Sequence, residues 1–385
     1  MTEEAGFSRG GWLIVFLMFL FMLINFADKA VVGLAAVPIM QELQLTPGQF
    51  GLIGSSFFLL FSVSAIVTGF IANRVQTRWL LSVMGLVWAL AQFPMLGSAG
   101  FATIVASRIA LGAGEGPAYP VALHATYKWF PDRLRTLPTA IVSQGGAIGV
   151  MVSLPLLNWV IVHYSWHWAF GVLGFVGLGW TAVWLLLGRE GAVVEPPTPG
   201  AAAIALRVPY RQLLTSPTVI GGWCAAFGAY WGLTLALTWQ GAFLVKGLGI
   251  PQQSIGILAA LPPALSVVAT IAGGWMSQRL MACGVSSRLA RGVLGGGFVA
   301  LGGAALLAMP ALPGVAFKVA MTTIGVAFPT LIYVIWPALV AEITPAVQRS
   351  SILAIGTAIS TSAGLLAPYV MGSVIESAAN PLAGY

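Results

Sequence analysis

Residues 11–29 read GWLIVFLMFLFMLINFADK, an apolar run that ends with an acidic and a basic residue side by side. A helix of about 20 apolar residues crosses the hydrocarbon core of a bilayer, so we predict a membrane-spanning helix over residues 11–40. Asp28 and Lys29 lie within that span. Ionised side chains in hydrocarbon are costly, and they persist where they pair, face a cavity or handle ions. This stretch therefore predicts both the fold class and a candidate functional site.

The composition of the whole chain agrees with this beginning. Hydrophobic residues make up 58% of the 385 positions and charged residues 7%, whereas charged residues form about a quarter of an ordinary soluble domain. We therefore predict an all-α polytopic membrane protein. Its eleven predicted spans cover residues 11–40, 48–72, 79–97, 100–127, 136–161, 166–188, 216–245, 253–276, 289–309, 314–341 and 348–375.

Basic residues in the links between spans predict the orientation of the chain. Lysine and arginine accumulate in cytoplasmic loops, and here nearly all of them fall on one side, for example Arg74, Arg78 and Arg189, whereas Lys246 falls on the other. The predicted location is the bacterial inner membrane, with a cytoplasmic N-terminus. The net charge of +7 then reflects membrane topology, and no nucleic-acid partner is expected.

The sequence predicts neither a metal site nor a cofactor. Cys224 lies in a predicted span and Cys283 in a predicted cytoplasmic link, so their positions favour neither a disulfide nor a metal site. Glycine clusters at 145–146 and 295–297 lie in apolar spans, where small residues allow close contact between helices. We interpret them as packing positions rather than as phosphate-binding loops.

The longest polar interruption follows the sixth span and divides the chain. We predict an N-terminal six-helix bundle over residues 1–188, a cytoplasmic linker over 189–215 and a C-terminal bundle over 216–385. The segments GFIANR at 69–74 and GGWMSQR at 273–279 follow the second and eighth spans, and duplicated halves are typical of transporters. By this symmetry the C-terminal bundle is expected to be incomplete, because its last, twelfth span is missing.

The segment GFIANRVQTR at residues 69–78 resembles the loop motif of the major facilitator superfamily. Gly69, Arg74 and Arg78 stand at the positions of its glycine and bases, and Asn73 replaces the usual aspartate. The resemblance implies two six-helix bundles that work by alternating access, with this loop steadying the outward-facing state. Asparagine loses a charge–dipole interaction of about 0.3–1 kcal/mol, so we expect a weaker loop contact here.

Three further segments, RIALGAGEGPAYP at 108–120, KWFP at 128–131 and QGG at 144–146, are similar to the anion:cation symporter branch of that superfamily. NFADK at 25–29 resembles the branch's Asn-aromatic-Ala-Asp-Arg, with Lys29 in place of the more usual arginine. The resemblance covers nearly the whole chain. It implies that Lys29 contacts a substrate carboxylate and that Asp28 and Glu115 take part in proton coupling. Lysine is a point charge, so its binding of a carboxylate is less geometrically demanding.

The spacing of the charged residues supports separate roles for them. Arg108 and Glu115 are seven residues apart and share a face of a continuous helix with Tyr119. Burial favours a protonated carboxyl group and a nearby cation favours the ionised form, so movement of Arg108 would change proton binding by Glu115. The side chains of Asp28 and Lys29 diverge by about 100°, and we assign Lys29 to the substrate and Asp28 to protonation. The alternatives are structural: Arg108 and Glu115 form a buried ion pair that only locks the fourth span to a neighbour, and Asp28 and Lys29 form a pair that is satisfied locally at a helix kink.

Gln144, Tyr230 and Trp336 are the remaining candidates for substrate contacts. Gln144 lies in the fifth span, where a lone glutamine serves as often in bonding between helices. Tyr230 and Trp336 fall near the middle of spans seven and ten, although aromatic residues at such positions more often pack than bind. The aromatic second half favours a monocarboxylate with an apolar or aromatic body.

Together these features predict a secondary active transporter that imports a small organic anion with protons. We expect it to work as a monomer in the lipid bilayer, driven by the proton gradient and without a cofactor. A sodium-coupled, exchange-only or efflux carrier of organic anions is the first alternative. A membrane-embedded sensor or enzyme is a different class, disfavoured because the sequence shows neither a catalytic constellation nor a signalling domain.

Overall fold

The part of the chain that the structure describes is built from helices. The computed structural model describes residues 9–72, 74–131, 134–191 and 208–378, and these residues contain helices and no strand. The predicted all-α fold class is confirmed.

Short connections join the helices that come before residue 192. These helices are α1 (Arg9–Leu34), α2 (Ala36–Glu42), α3 (Pro47–Ser56), α4 (Phe61–Ala72), α5 (Thr77–Gln92), α6 (Phe101–Glu115), α7 (Ala118–Tyr127), α8 (Thr136–His163) and α9 (Trp166–Leu187). A 3₁₀ turn at Phe93–Leu96 follows α5.

The helices after residue 207 include several irregular turns. They are α10 (Tyr210–Leu214), α11 (Pro217–Ala242), α12 (Gln252–Ala259), α13 (Leu261–Ala282), α14 (Leu294–Ala308), α15 (Val315–Ala327), α16 (Ile332–Ile343) and α17 (Ala346–Ser377). π-Helical turns follow α11 and precede α14, at Phe243–Gly247 and Arg288–Val293.

Ten helical stretches of the described residues are long and apolar enough to cross a membrane. The other predicted span, 100–127, is interrupted by a turn at Gly116 and Pro117, which separates α6 from α7. Proline has no backbone N–H and clashes with the preceding helical turn, so it interrupts a helix. The expectation of one continuous polar stripe reaching Tyr119 is therefore wrong. Tyr119 is 40% exposed, and its hydroxyl lies 2.8 Å from Ser143 Oγ on α8.

The described residues group into two compact units. The first contains the described residues before 197, together with 237–257 and those from 369 onward, and the second contains the described residues of 197–236 and 258–368. The chain therefore contributes three separate stretches to the first unit. The predicted division into bundles at 1–188 and 216–385 concerns the transmembrane topology and stays a prediction.

Within the first unit, α1 and α8 form the most extensive helix contact. Gly145 and Gly149 face the α1 backbone so closely that a β carbon on either would lie 2.5 Å from the carbonyl oxygen of Phe19 or Leu23. Gly145 is therefore a packing position, as we predicted, and Gly149 has the same role. In the second predicted cluster, a β carbon on Gly295 would lie 3.4 Å from the Ile335 side chain, which fits a packing position. For Gly296 and Gly297, no atom of the described residues lies within 4 Å of such a β carbon, so packing against these residues does not explain them.

Glu42, the last residue of α2, ties that helix to α9. Its carboxylate accepts hydrogen bonds from Trp166 Nε1 at 2.7 Å and His167 Nε2 at 2.9 Å. Burial raises the pKa of the Glu42 carboxyl, but these two donors outweigh it and hold the pKa below its ordinary value. His167 Nδ1 also lies 2.6 Å from Met95 O, so this histidine joins three segments of the first unit.

Candidate functional site

Four charged side chains lie together inside the first unit. Asp28 and Lys29 belong to α1, whereas Arg108 and Glu115 belong to α6, and the exposed fractions of these whole residues are 1%, 8%, 5% and 1%. We call these four residues the charged cluster. Such burial has a large desolvation cost, which partners of opposite charge and hydrogen bonds must offset.

A glycine on α6 brings that helix against the turn between α3 and α4. A β carbon on Gly112 would lie 1.7 Å from the carbonyl oxygen of Phe57, so no larger residue fits there. The close approach places the Arg108 guanidinium over the Phe57 ring, 4.7 Å from its centroid. The tight packing of α6 therefore places Arg108 and Glu115 in the interior of the first unit.

Lys29 is paired with Glu115 rather than left open. The distance from Lys29 Nζ to Glu115 Oε2 is 2.9 Å, and Nζ also donates a hydrogen bond to Asn25 Oδ1 one turn earlier. The ammonium lies 4.5 Å from the Phe26 ring centroid and 5.5 Å from that of Phe61. The cation that we assigned to the substrate is thus held by a titratable carboxylate and surrounded by aromatic rings.

Asp28 points to a different set of partners. Its Oδ1 accepts a hydrogen bond of 2.8 Å from Gln92 Nε2, and its backbone carbonyl accepts one of 3.1 Å from Arg108 Nη1. The divergence expected of two neighbours on a helix is what the structure shows, because Lys29 and Asp28 contact separate groups. Arg108 is bound to the α1 backbone, whereas the ion pair of Glu115 is with Lys29.

Gln144 lies on α8, outside the hydrogen-bonded network of the charged cluster. It is half-buried, and in the described part of the chain no hydrogen bond joins it to any of the four charged residues. Its neighbours Gly145 and Gly146 pack on α1, with a β carbon on Gly146 2.9 Å from the Phe26 ring. A substrate contact by Gln144 stays a prediction.

Tyr230 and Trp336 lie in the second unit. Trp336 is 5% exposed and belongs to its apolar core, with its ring over Gly222. Tyr230 packs edge-to-face on Tyr333, with ring centroids 6.5 Å apart. Both residues therefore have packing roles, and their contact with a substrate stays a prediction.

The loop motif of residues 69–78 divides among several environments. Asn73 lies outside the described residues, a β carbon on Gly69 would meet no atom of the described residues within 4 Å, and Arg74 lies in an exposed turn. Arg78 donates from Nη2 to the carbonyl oxygen of Leu185 at 2.6 Å, which joins the start of α5 to the end of α9. The role of these residues in conformational change stays a prediction.

Glu190 stands beside this motif and was not predicted. Its Oε1 accepts hydrogen bonds from Thr77 Oγ1 at 2.8 Å and from the backbone N–H of Arg78 at 3.0 Å, and its Oε2 lies 2.8 Å from Lys128 Nζ. A carboxylate at a helix N-terminus satisfies free N–H groups there. Because Glu190 lies in a polar link after the sixth span, the sequence alone gave no sign of this pairing.

Gln92 and Asn25 are the other partners that the sequence reading missed. Both are buried, with exposed fractions of 2% and 1%, and each bonds a charged residue of the cluster. A polar side chain inside an apolar span is a signal in itself, since burial without a partner is costly.

Among the described residues, no group of three or more His, Cys, Asp and Glu side chains could hold a metal ion.

Comparison with known proteins identifies the family. The sequence profile of the Major Facilitator Superfamily matches residues 17–368. The chain belongs to this superfamily. The members of this superfamily are transporters rather than enzymes, so the prediction that the protein is not an enzyme is confirmed.

The relatives of this superfamily member include bacterial carriers of organic anions. It is 27% identical over 276 residues to a hexuronate transporter of Bacillus subtilis, which covers 71% of this chain and 65% of that protein. It is 25% identical over 306 residues to a D-galactonate transporter of Escherichia coli, which covers 74% of this chain and 71% of that protein. The chain thus spans just under two thirds of the length of the first relative. The resemblance to the anion-carrying branch agrees with these matches.

A solved structure supports the superfamily fold. A bacterial homologue of the human lysosomal transporter Spinster superposes with a TM-score of 0.80 at 21% identity, covering 97% of this chain and 84% of that one. The predicted major facilitator fold is therefore confirmed.

Proposed function

We propose that the protein is a secondary active transporter that imports a small organic anion together with protons. The observation that carries this proposal is the buried Lys29–Glu115 pair. The ammonium group of Lys29 is suited to bind a substrate carboxylate, and its partner is a carboxyl group that can be protonated. The hexuronate and galactonate carriers among the relatives support an organic anion as the substrate.

Competition for Lys29 provides the proposed coupling. A substrate carboxylate and the Glu115 carboxylate are alternative partners for one ammonium group, and both cannot bind it fully while both are ionised. A proton on Glu115 removes its charge and releases Lys29. The rings of Phe26, Phe57 and Phe61 stabilise the ammonium by cation–π interaction during the exchange.

The charge of the cluster gives the same direction of coupling. Two acidic and two basic side chains have no net charge when all are ionised. A bound monocarboxylate adds one negative charge, and protonation of Glu115 restores neutrality. Because a net charge inside the bilayer is costly, the neutral loaded state reorients more easily. A dicarboxylate would need a second proton, for which Asp28 is the candidate.

The body of the substrate is less sharply defined than its carboxylate. An aromatic second half favours an apolar acid, whereas the two relatives act on hydroxylated sugar acids. In the second unit, Trp223 Nε1 and Tyr333 OH are buried without a hydrogen-bond partner among the described residues. Such donors suit a hydroxylated ligand, because an unpaired buried donor gains most from a new acceptor. Both kinds of acid belong in the first assay.

The deciding experiment is uptake into proteoliposomes with an alkaline interior. We expect accumulation of one class among radiolabelled sugar acids, dicarboxylates, aromatic acids and vitamin-like acids, without sodium and abolished by an uncoupler. Glu115→Gln should reduce pH-driven accumulation by at least about tenfold, a coupling energy of about 1.4 kcal/mol. It should retain exchange of internal for external substrate, because glutamine mimics the protonated acid.

Glu190→Gln is the matched control, since it makes the same substitution at a glutamate that pairs with Lys128 outside the charged cluster. We expect normal coupling in this variant. Accumulation that requires sodium would establish the sodium-coupled alternative, and exchange without accumulation would establish an exchanger. Unchanged pH-driven uptake by Glu115→Gln would refute the role of Glu115.

A further inference from the structure

Gln92 is a buried neutral residue that contacts the charged cluster. It is the last residue of α5 and is 2% exposed, and its Nε2 lies 2.8 Å from Asp28 Oδ1. A buried amide without a hydrogen bond is costly, so this contact accounts for the presence of glutamine at this position. The contact reaches Asp28 from a helix that contributes none of the four charged residues.

The cations of the cluster are directed elsewhere. On α1, Lys29 pairs with Glu115 and Asn25; on α6, Arg108 binds the backbone carbonyl of Asp28 rather than its carboxylate. Among the described residues, Glu115, Arg108 and Lys29 are the charged groups that act on Asp28, and α5 contributes the neutral amide of Gln92. Within the described residues, the hydrogen bond to the Asp28 carboxylate therefore comes from a neutral donor.

A neutral donor has a different effect from a cation. It does not titrate, so it holds the orientation of the Asp28 carboxyl group whether or not a proton is bound there. A donor N–H bonds more strongly to an ionised carboxylate than to a protonated one, and it therefore favours proton release. The electrostatic effect of the charged neighbours on Asp28 changes whenever Glu115 changes its partner, whereas the effect of the Gln92 hydrogen bond does not.

We propose that Gln92 is a positioning residue that fixes the Asp28 carboxyl group and sets the pH at which it exchanges its proton. Gln92 acts through Asp28 and need not touch the substrate. The consequence for transport rests on the proposed function, in which Asp28 carries a proton, but the effect on Asp28 titration does not.

The test is an infrared pH titration of the reconstituted protein, following the stretching band of the protonated carboxyl group. Asp28→Asn identifies the band of Asp28. In Gln92→Leu we expect this band to persist to a pH about one unit higher than in the wild type, a tenfold change in proton affinity that matches the loss of one hydrogen bond to a charged group. The same titration of Asp28 in Gln92→Leu and the wild type would overturn the proposal.

Ser82→Ala is the matched control, because Ser82 is a buried polar residue of the same helix whose hydroxyl bonds to the carbonyl oxygen of Arg78. Its titration of Asp28 should equal the wild type, and a shift as large as that of Gln92→Leu would show a general effect of α5 and overturn the proposal. If Gln92→Leu does not fold, Gln92→Glu keeps the size of the side chain. Two carboxyl groups at this distance should titrate in two coupled steps, and one unchanged step would contradict the proposal.

Uptake measurements on the same variants separate the two hypotheses. We expect the pH midpoint of substrate uptake to move with the titration of Asp28 in Gln92→Leu. A shifted infrared titration with an unmoved uptake profile would support Gln92 as a positioning residue and refute Asp28 as a coupling residue.

Discussion

The first unit contains two Lys–Glu pairs with nearly the same geometry and different surroundings. Lys29 Nζ lies 2.9 Å from Glu115 Oε2, and Lys128 Nζ lies 2.8 Å from Glu190 Oε2. The side chains of the first pair are 8% and 0% exposed, whereas those of the second are 27% and 24% exposed. The first pair joins residues of two predicted spans, and the second joins residues in the links outside the predicted spans. Distance alone therefore does not distinguish the Lys29–Glu115 pair, for which we propose an exchange of partners, from the Lys128–Glu190 pair, which we interpret as structural.

The number of donors around each carboxylate does separate them. Glu190 also accepts hydrogen bonds from Thr77 and Arg78, so it keeps partners if Lys128 moves. Burial raises the pKa of Glu190, but the donors Lys128, Thr77 and the Arg78 N–H outweigh it and hold the pKa below its ordinary value. Glu115 Oε1 has no hydrogen-bond partner among the described residues. Glu115 therefore depends on Lys29, and loss of that contact favours its protonation.

Removal of the lysine from the buried pair should cause the largest loss of stability. Lys29→Met leaves an unpaired carboxylate in the interior, and we expect a loss of about 3–5 kcal/mol in the free energy of unfolding at about pH 8. The loss should shrink at about pH 5, where a proton on Glu115 removes the buried charge. Denaturant unfolding in detergent micelles measures both values.

The double variant Lys29→Met/Glu115→Gln completes this test. We expect it to recover most of the lost stability, because no unpaired charge remains. It should not recover uptake, since the proposed carboxylate ligand is absent. A double variant as unstable as Lys29→Met would show that lost packing of the lysine stem, rather than an orphaned charge, explains the effect.

The same substitution in the other pair should have a smaller effect. Lys128→Met removes a partly exposed partner from a carboxylate that retains Thr77 and the Arg78 N–H, so we expect a loss of about 0.5–1 kcal/mol that decreases at high salt. The unfolding assay above provides the direct comparison. Equal losses of unfolding free energy in Lys128→Met and Lys29→Met would contradict this distinction between the two ion pairs.

The smallest expected effect is the pH dependence of the stability that the Lys128–Glu190 pair contributes. The pKa of Glu190 is lower in the folded protein than its ordinary value, so its contribution is present above the unfolded pKa of about 4.3 and is lost as the pH falls through the folded pKa. The stability difference between the wild type and Lys128→Met should therefore be constant from about pH 5 to 7 and shrink below that. A difference that grows on acidification has the wrong sign for this explanation.

Sequence reasoning reached the charged cluster because charges in apolar spans are rare. Asp28, Lys29, Arg108 and Glu115 stand out in a chain with 7% charged residues. The sequence did not predict how they pair, since helical spacing related Arg108 to Glu115 whereas the ion pair of the cluster joins Lys29 of α1 to Glu115 of α6. Gln92 and Glu190 were missed for the same reason. Their partners are 64 and 62 or more residues away in sequence.

The amino-acid sequence alone is enough to assign this protein to the all-helical membrane proteins of the Major Facilitator Superfamily and to place charged residues inside the apolar spans of its first half. Hydrophobicity and helical period are local properties, and a bilayer leaves few other ways to satisfy the backbone. The packing of the helices, in contrast, is what shows that Lys29 is held by Glu115, that Asp28 is held by Gln92, and that α6 ends at Glu115. Such pairings depend on how closely helices far apart in sequence approach, which here follows from contacts such as that of Gly112 with Phe57.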